Sequence, residues 1–389
     1  MVNSCTVTNF GDQKSRKWLR RAKRENPGAV TVLTGCYPQA FPEEAANFME
    51  ADSSAATATV KPSSTMCSSC WMPRADRGRH APQAGRAVRG AARGAVRDSH
   101  ARVIKVEDGC NRQCAYCVIP RARGPVRSRA EASILNELHQ LAAAGYREVV
   151  LSAISLPSYG LDTGTNLVEL VEKCAQVEGI QRIRLGSLDP DMLTPEFITR
   201  LAAVDKLCPQ FHLSLQSGCS ATLRRMRRVY TAEQYAKVVA DLRAAYGERP
   251  VSFTTDCICG FPGETVADFE ESCAFLKEIG FLKVHVFPYS RRSGTPAYDF
   301  PDQVHEREKQ DRSRKMNALA EDIRRDVLKG YEGMEDEVLL ETPLSETLFT
   351  GYTRLYVPVV VSAPGHKSGE IVRVRLGAYD GERVRAALC

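Results

Sequence analysis

The sequence predicts an α/β protein whose main part is a partial barrel of six βα units, preceded by a fragmentary α/β domain and followed by a small antiparallel β-barrel. Three observations predict this architecture. Strand-like runs alternate with amphipathic helical stretches from residue 102 onward, an interrupted α/β pattern precedes them, and alternating strands with glycine turns fill residues 331–389. Parallel strands that are joined by helices need right-handed crossovers, which favours a barrel or an open barrel.

The composition is that of a globular protein. The 389 residues suffice for two or three domains with at least one large core. No apolar run approaches the roughly 18 residues that span a bilayer, and no signal-peptide pattern opens the chain, so we expect a cytoplasmic protein without a membrane partner. In a reducing compartment, fourteen cysteines favour metal ligation over disulfides. The net charge of +6 permits a nucleic-acid partner without requiring one.

Residues 1–50 are predicted to be a truncated α/β domain. CTVTN ends a strand, DQKSRKWLRRAKREN is a basic amphipathic helix, and AVTVLTGC is a short buried strand that ends at Cys36. Because the chain opens almost inside its first strand, we expect a shortened start.

Residues 51–100 differ from the sequence around them. No Leu, Ile, Phe or Tyr occurs between residues 51 and 103, where Ala, Arg, Ser and Pro dominate. Such a composition buries too little apolar surface to offset the entropy of ordering. We expect a disordered basic linker or, alternatively, a frame-shifted segment whose normal pattern returns near ARVIKVEDG. Its CSSC pair, Cys67 and Cys70, is not expected to bind metal.

Six βα units are predicted across residues 101–330. The strands are RVIKVE, EVVLSA, RIRLGSL, FHLSLQS, VSFTTDCIC and FLKVHVFPYS. The helices are expected at about 129–144, 166–177, 195–204, 231–246, 265–279 and 302–329. Cys257 and Cys259 are interpreted as buried replacements for aliphatic residues, and His285 as a side chain packed at a strand end.

The stretch EDGCNRQCAYC places Cys110, Cys114 and Cys117 directly after the first barrel strand. Iron–sulfur clusters are usually held by one cysteine per iron, so three cysteines predict a [4Fe–4S] cluster whose fourth iron is open to a small molecule. At the carboxyl end of a barrel strand, that iron would face the active site. Structural zinc, which takes four ligands, and a disulfide with a spare thiol are the alternatives.

The CxxxCxxC spacing resembles the radical S-adenosylmethionine (SAM) superfamily, and Tyr116 before the third cysteine fits its pattern as a cofactor-binding position. EDGCNRQCAYCVIPRARGPVRSR, HLSLQSG, LRRMRRVYT, GFPGET and HVFPYSRRSGTPA together resemble the methylthiotransferases, over residues 1–50 and 101–389. The resemblance implies an enzyme that cleaves SAM to a radical and adds a methylthio group to an unreactive carbon. It also implies a TRAM-like RNA-binding domain at residues 331–389, a tRNA partner bound at its anticodon loop, and an electron donor such as a flavodoxin or ferredoxin.

The N-terminal residues narrow the resemblance to one branch. VNSCTVTNFGDQKSR and TGCYPQ resemble the branch that acts on C2 of N6-threonylcarbamoyladenosine at tRNA position 37. The alternatives are the isopentenyladenosine branch, the ribosomal-protein branch, and an inactive RNA-binding relative that lacks a complete auxiliary cluster. The substrate tRNAs and the oligomeric state are not predicted.

The resemblance also implies site residues. Family members hold an auxiliary cluster through three N-terminal cysteines, of which Cys5 and Cys36 match, while the first would lie upstream of Met1. Cofactor contacts are implied at Gly260, Gly263 and Glu264 in GFPGET and at Gln216 and Ser217 in LSLQSG. Each motif also has an alternative explanation that needs no cofactor. GFPGET could be a plain turn into the next helix, and the polar residues of LSLQSG could cap the helix that follows them.

Basic residues recur beyond strand ends and cysteine loops, and we expect the set to contact RNA phosphates. A solvated helix face is the alternative for any single member. In the last domain, Arg354 and Tyr356 are candidates for charge and base stacking, or else part of an ordinary surface strand. The basic set comprises Lys14, Arg16, Lys17, Arg20, Arg21, Arg121, Arg123, Arg127, Arg129, Arg224, Arg225, Arg227, Arg228, Arg291 and Arg292.

Overall fold

The computed structural model describes residues 1–6, 8–56 and 100–389, so Cys67 and Cys70 lie outside the described residues. The chain forms two compact units. The first comprises Met1–Ala87, Asp108–Arg127 and Ser290–Phe300, and the second comprises Val88–Glu107, Ser128–Tyr289 and Pro301–Cys389. The four-part division at residues 50, 100 and 330 stays a prediction.

The first unit contains a three-stranded parallel sheet in the order β1-β2-β3. Thr8 caps the first helix by accepting the Gly11 N–H at 3.2 Å. The side chains of Leu19 and Leu33 are fully or almost fully buried in the core of this unit. Its elements are β1 Val2–Ser4, α1 Asn9–Glu25, β2 Val32–Gly35, α2 Cys36–Ala40, α3 Pro42–Ala46, β3 Ser53–Ala56 and α4 Ile119–Arg123.

Strand β3 lies inside the segment whose composition predicts disorder. Its residues pair with β2 in parallel register from Val32↔Ser53 to Gly35↔Ala56. The preceding residue, Asp52, anchors it, because its carboxylate accepts the Thr31 N–H at 2.7 Å and lies 2.7 Å from Lys23 Nζ. Backbone pairing and one ion pair therefore hold a four-residue strand that consists only of serine and alanine.

The second unit confirms the partial barrel of six βα units. Strands β4-β7-β8 and β9-β10-β11-β12 form two parallel sheets, and only Gly186 separates β8 from β9. Every predicted barrel strand and helix is present, with ends that move by a few residues. The strands are β4 Ala101–Lys105, β7 Glu148–Ser152, β8 Arg182–Leu185, β9 Ser187–Leu188, β10 Gln210–Leu213, β11 Ser252–Cys259 and β12 Lys283–Pro288, and a separate pair joins β5 Glu107–Asp108 to β6 Arg127–Ser128.

The helices pack on one side of these sheets and enclose the main hydrophobic core. Two of them begin with a capping box, in which Thr231 and Thr265 each exchange hydrogen bonds with the residue three positions later. These helices are α5 Glu131–Ala143, α6 Leu167–Ala175, α7 Pro195–Ala202, α8 Ser220–Arg225, α9 Ala232–Tyr246, α10 Val266–Ile279 and α11 Glu306–Lys329.

The last residues form a closed five-stranded barrel in the order β13-β14-β15-β17-β16, as the alternating pattern predicts. Its interior is lined by valine and leucine side chains such as Val338, Val359 and Val374, all fully buried. Its strands are β13 Glu335–Pro343, β14 Leu348–Thr353, β15 Pro358–Ser362, β16 Ile371–Tyr379 and β17 Val384–Leu388. A closed five-stranded barrel is consistent with a TRAM-like domain, and its RNA-binding role stays a prediction.

Candidate iron–sulfur and cofactor site

The cysteine loop is closed by backbone contacts at its base. Gly109 has a φ of 95°, and a Cβ there would lie 1.9 Å from the Pro125 carbonyl oxygen. Only glycine therefore fits this approach. The N–H of Cys110 then donates to the Gly124 carbonyl at 3.0 Å, and Asn111 Oδ1 accepts the Val126 N–H at 3.0 Å. The loop is thus held at both ends before any ligand binds.

Three half-buried sulfur atoms lie within this loop, those of Cys110, Cys114 and Cys117. The Cys117 N–H donates to the Cys114 carbonyl at 3.1 Å, which forms a tight turn between those two cysteines. The Arg112 N–H donates to Cys110 Sγ at 3.4 Å. Hydrogen bonds to cysteine sulfur are one means by which proteins set the reduction potential of iron–sulfur clusters. Three accessible thiols on a closed loop therefore fit a cluster that lacks a fourth protein ligand. Tyr116 lies between the second and third cysteines, half-buried.

Cys5 and Cys36 follow directly after two register partners. Ser4 of β1 pairs with Gly35 of β2, so the next residue of each strand emerges at the same edge of the sheet. A Cβ on Gly35 would lie 2.3 Å from the Ser4 carbonyl oxygen, and its φ is 100°. The close approach of the two strands therefore depends on glycine, and it brings an exposed thiol and a buried thiol to one place.

Arg123 is the cation beside this cysteine pair. Burial raises the pKa of the Cys36 thiol, and the hydrogen-bonded guanidinium of Arg123 opposes that rise. Arg123 also lies close to Cys5, and its Nη1 is 3.4 Å from Asp108 Oδ2. A cation that favours thiolate over thiol suits a ligand pair for an iron–sulfur cluster.

The GFPGET motif forms a rigid turn after β11. Gly260 and Gly263 have φ values of 71° and 76°, and a Cβ on Gly260 would lie 2.5 Å from the Lys309 side chain. The Glu264 carboxylate accepts the N–H groups of Gly260 at 2.5 Å and Phe261 at 3.0 Å. Burial raises the pKa of Glu264, while Arg312, 3.1 Å from its Oε1, opposes that effect. The side chain of Glu264 thus shapes the turn from within.

Gln216 and Ser217 extend the edge beyond β10. Gln216 has a φ of 70°, and its backbone bonds to Asp256 and Ile258 of β11. Ser217 is buried, accepts the Cys219 N–H at 3.2 Å and bonds to Ser272 Oγ at 3.0 Å. Ser217 therefore forms a local turn before the next helix, whose N-cap is Cys219 and not Ser217. A cofactor contact by either side chain stays a prediction.

Comparisons with known proteins agree with this geometry. The signature of the Radical SAM superfamily matches residues 104–276, and that of the Uncharacterized protein family UPF0004 matches residues 1–55. The threonylcarbamoyladenosine tRNA methylthiotransferase MtaB of Bacillus subtilis (strain 168) is 37% identical over 97% of this chain and 84% of that relative. The chain belongs to the radical SAM methylthiotransferase family.

This methylthiotransferase is also similar to a relative from the isopentenyladenosine branch and, in its fold, to a solved structure. The tRNA-2-methylthio-N(6)-dimethylallyladenosine synthase of Carboxydothermus hydrogenoformans is 33% identical over 97% of this chain and 87% of its own. The solved radical S-adenosylmethionine methyltransferase TsrM of Kitasatospora setae has a TM-score of 0.53 at 17% identity, over 74% of this chain and 60% of that one. The latter likeness shows the fold alone. None of the helices in the described residues is both long and apolar enough to cross a membrane.

Several arginines of the basic set serve the fold of this methylthiotransferase. Arg292 is buried and pairs with Asp12 at 2.5 Å, and Arg129 is buried and pairs with Glu137. The interpretation of these two as RNA contacts is wrong, because both guanidinium groups are enclosed by protein. Arg354 likewise donates to the Asp205 and Leu207 carbonyls. The exposed members of the set are Lys14, Lys17, Arg20, Arg21, Arg121, Arg224, Arg227 and Arg291.

The structure also groups polar side chains that the sequence analysis did not connect. His285, interpreted as a packed residue at a strand end, is half-buried and is the register partner of Asp256. His212 on β10 lies beside both. The sequence did contain a signal for this group. On each of three consecutive strands, one of these residues stands between two neighbours that face the core, so all three side chains are expected on the opposite face of the sheet. Cys257 and Cys259 are fully buried in the core, which confirms their interpretation.

Proposed function

We propose that this chain adds a methylthio group to C2 of N6-threonylcarbamoyladenosine at position 37 of tRNA. The observation that carries the proposal is the match, across nearly the whole chain, to relatives whose names state that activity. The closed cysteine loop and the glycine turn after β11 support it, since the loop offers three thiols to a cluster and the turn offers backbone to a ligand. A radical reaction at an unreactive carbon has no need of a catalytic acid–base pair.

Cys110, Cys114 and Cys117 would hold a [4Fe–4S] cluster. When bound, that cluster supplies an electron that cleaves SAM to a radical able to take hydrogen from an unreactive carbon. The residues around the cluster would hold its cysteine ligands in place. The Arg112 N–H donates to Cys110 Sγ, and the contacts of Gly109 and Gly124 keep the loop closed. The turn at Gly260 and Gly263 offers backbone to a ligand, with its conformation held by Glu264.

Cys5 and Cys36 would contribute to an auxiliary cluster, which in this proposal is the source of the transferred sulfur. Two thiols emerging at one sheet edge, with the Arg123 cation beside them, fit part of such a ligand set. The proposed tRNA partner suits the exposed face of α1, where Lys14, Lys17 and Arg21 lie together. The electron donor is proposed to be a flavodoxin or ferredoxin.

The test is an anaerobic assay of the reconstituted protein with SAM, a reductant and tRNA that carries N6-threonylcarbamoyladenosine. Iron content of about eight per chain indicates two clusters, and the expected product is then the 2-methylthio nucleoside, identified by mass spectrometry. With about four irons, the expected result is SAM cleavage without methylthiolation. Iron-loaded protein that does not cleave SAM would instead indicate the inactive RNA-binding relative.

The isopentenyladenosine branch is the second candidate, because relatives named for the dimethylallyl substrate match at 33–37% identity. Presenting both tRNAs to one preparation separates the two. Product formed only on the dimethylallyl nucleoside would contradict the proposal, and product on a ribosomal protein would point to the third branch.

A further inference from the structure

The strands β10, β11 and β12 carry a row of polar side chains on the face that the helices do not cover. Along β11, Phe253, Cys257 and Cys259 pack into the core beneath the helices. Because side chains alternate across a strand, Asp256 and Ile258 face the opposite side. By the same rule His212 lies opposite to Phe211 and Leu213, and His285 opposite to Val284 and Val286. His212, Asp256 and His285 are all partly accessible.

These three side chains form one cluster. His212 Nε2 lies 3.4 Å from Asp256 Oδ2, and the two imidazole centroids are 6.0 Å apart. One nitrogen or oxygen atom from each residue lies within 4.8 Å of those of the other two. On its far side, His212 Nδ1 is 3.0 Å from Thr254 Oγ1, which also accepts a hydrogen bond from Gln210 at 3.2 Å. Thr254 and Gln210 thus orient the His212 ring, while all three residues of the cluster stay partly accessible.

An apolar surface continues the row toward the carboxyl ends of the strands. Ile258 and Phe287 are register partners, two residues beyond Asp256 and His285 on the same face. Phe287 lies near the end of β12, the edge strand of this sheet, and is 45% exposed. An exposed aromatic ring is a surface on which a nucleobase stacks. Two residues along a strand span about 6.6 Å. A base stacked on Phe287 could therefore place a substituent attached to its edge at the cluster.

A cation lies at the other end of the row. Lys283 is exposed, is two residues before His285 on the same face, and acts electrostatically on that imidazole. An ammonium group close to the cluster disfavours a divalent cation there and favours a ligand that carries a carboxylate. Asp256 adds an acceptor for N–H and O–H donors. From the carboxyl ends of the strands toward their amino ends, the row therefore consists of the Phe287 ring, the cluster of donors and acceptors, and the positive charge of Lys283.

Building on the proposed function, we propose that His212, Asp256 and His285 bind the threonylcarbamoyl group on N6 of the substrate adenine while Phe287 stacks on the base. That substituent offers a urea, a hydroxyl and a carboxylate, which match the acceptor, the imidazoles and Lys283 in turn. An apolar isopentenyl group in the same place would strip water from these polar side chains and return no hydrogen bond. The cluster is in this way the determinant of substrate branch.

The experiment measures binding of the iron-loaded protein to three anticodon stem–loop RNAs that differ only at position 37, with N6-threonylcarbamoyladenosine, isopentenyladenosine or adenosine. Wild type is expected to prefer the first by at least about ten-fold. Asp256→Asn and His285→Leu should each weaken its binding about ten-fold and leave the other two RNAs unchanged, because each substitution removes one hydrogen bond to the substituent. His285→Gln should restore part of the preference, and His139→Leu, on the exposed face of α5, should change nothing. Phe287→Leu should weaken all three RNAs equally.

The outcomes separate this inference from the proposed function. If wild type prefers the threonylcarbamoyl RNA and both cluster variants keep that preference, the cluster is not the determinant and the inference fails alone. If wild type shows no preference and methylthiolates another nucleoside, both fail. One equivalent of zinc that remains on the dialysed wild type and is absent from Asp256→Asn would identify a metal site and overturn the inference.

Discussion

Glu264 shows at the residue scale how a motif predicted to bind a cofactor is also a structural device. Its carboxylate is buried, accepts two backbone N–H groups of its own turn and pairs with Arg312. The sequence of the motif is compatible with a plain turn and with a ligand contact. The structure supplies the hydrogen bonds of the turn, and these hold the backbone of Gly260 and Gly263 in the left-handed region.

Replacing Glu264 by Gln tests this role. The substitution keeps the shape, removes the charge that faces Arg312, and replaces a carboxylate oxygen with a group that cannot accept a hydrogen bond. We expect the free energy of unfolding to fall by about 1–3 kcal/mol, as measured by urea denaturation. Glu270→Gln, on the exposed face of α10, is the matched control and should be neutral. Equal effects of the two substitutions would show that the turn does not depend on this carboxylate.

Asp52 is a second residue whose charge holds local structure. Burial raises the pKa of its carboxyl, but hydrogen bonds from Lys23 and Thr31 outweigh that effect and bring it to about 2. A carboxyl with a lowered pKa adds stability that is present above its unfolded pKa of 3.8 and disappears as the pH falls through about 2. The contribution is therefore complete at neutral pH.

Asp52→Asn should destabilise the first unit modestly at pH 5, by about 0.5–1 kcal/mol, because the ion pair is partly exposed. The difference from wild type should shrink between pH 4 and pH 2, where the native carboxylate gains its proton. Hydrogen exchange of Ser53–Ala56 at neutral pH should be faster in the variant, since Asp52 anchors β3. Unchanged exchange in that strand would mean that backbone pairing alone orders it.

At the element scale, periodicity in the sequence was sufficient for the barrel. The strands of the two parallel sheets lie in apolar runs between turn residues, and most of the helices between them have a capping side chain or a glycine at one end, so local signals and the fold agree. The cysteine loop followed from spacing alone. Strand β3 could not be found in this way, because Ser53–Ala56 contains only serine and alanine and is ordered by its neighbours. Its order depends on Thr31 and Lys23, which are distant in sequence.

The contact between β8 and the last barrel is an element-scale feature that no sequence pattern indicated. Arg184 donates to the carbonyls of Thr353 at 2.6 Å and Arg354 at 2.9 Å, and to Glu148 at 2.8 Å. Arg182 is also fully buried and lies 3.5 Å from Glu148. The sequence showed that Arg182 and Arg184 lie in a predicted strand, but it indicated no partner for Arg184. Its carbonyl acceptors are backbone atoms about 170 positions away in the sequence.

Arg184→Met should lower the free energy of unfolding by about 3 kcal/mol, because it removes the donor to two carbonyls and the closer of the two arginines that face the buried Glu148 carboxylate. Thermal unfolding measured by calorimetry gives the difference. Arg200→Met removes a solvent-accessible partner of Glu172 and is the control, which is expected to leave the stability nearly unchanged. A small effect at Arg184 would mean that the two barrels are held mainly by apolar contacts.

On the scale of the whole molecule, the chain joins distant segments in ways that local signals do not reveal. The first unit draws in residues 108–127 and 290–300, and the buried pair Asp12–Arg292 spans 280 positions. Arg129 and Arg292 are therefore not available to RNA, because charge pattern alone does not distinguish an arginine that binds phosphate from one that pairs with a carboxylate inside the protein. RNA contact by the exposed members of the basic set stays a prediction. The family resemblance, in contrast, was predicted from ordered motifs and is confirmed by 37% identity across the chain.

The central claim is that Cys110, Cys114 and Cys117 hold a cluster with one iron open to SAM. The most direct measurement uses a variant with Cys5→Ala and Cys36→Ala, so that a single cluster remains. After anaerobic reconstitution and reduction, we expect about four irons per chain and an electron paramagnetic resonance signal that changes when SAM is added. Zinc bound at these thiolates, or a cluster whose signal is the same with and without SAM, would contradict the account.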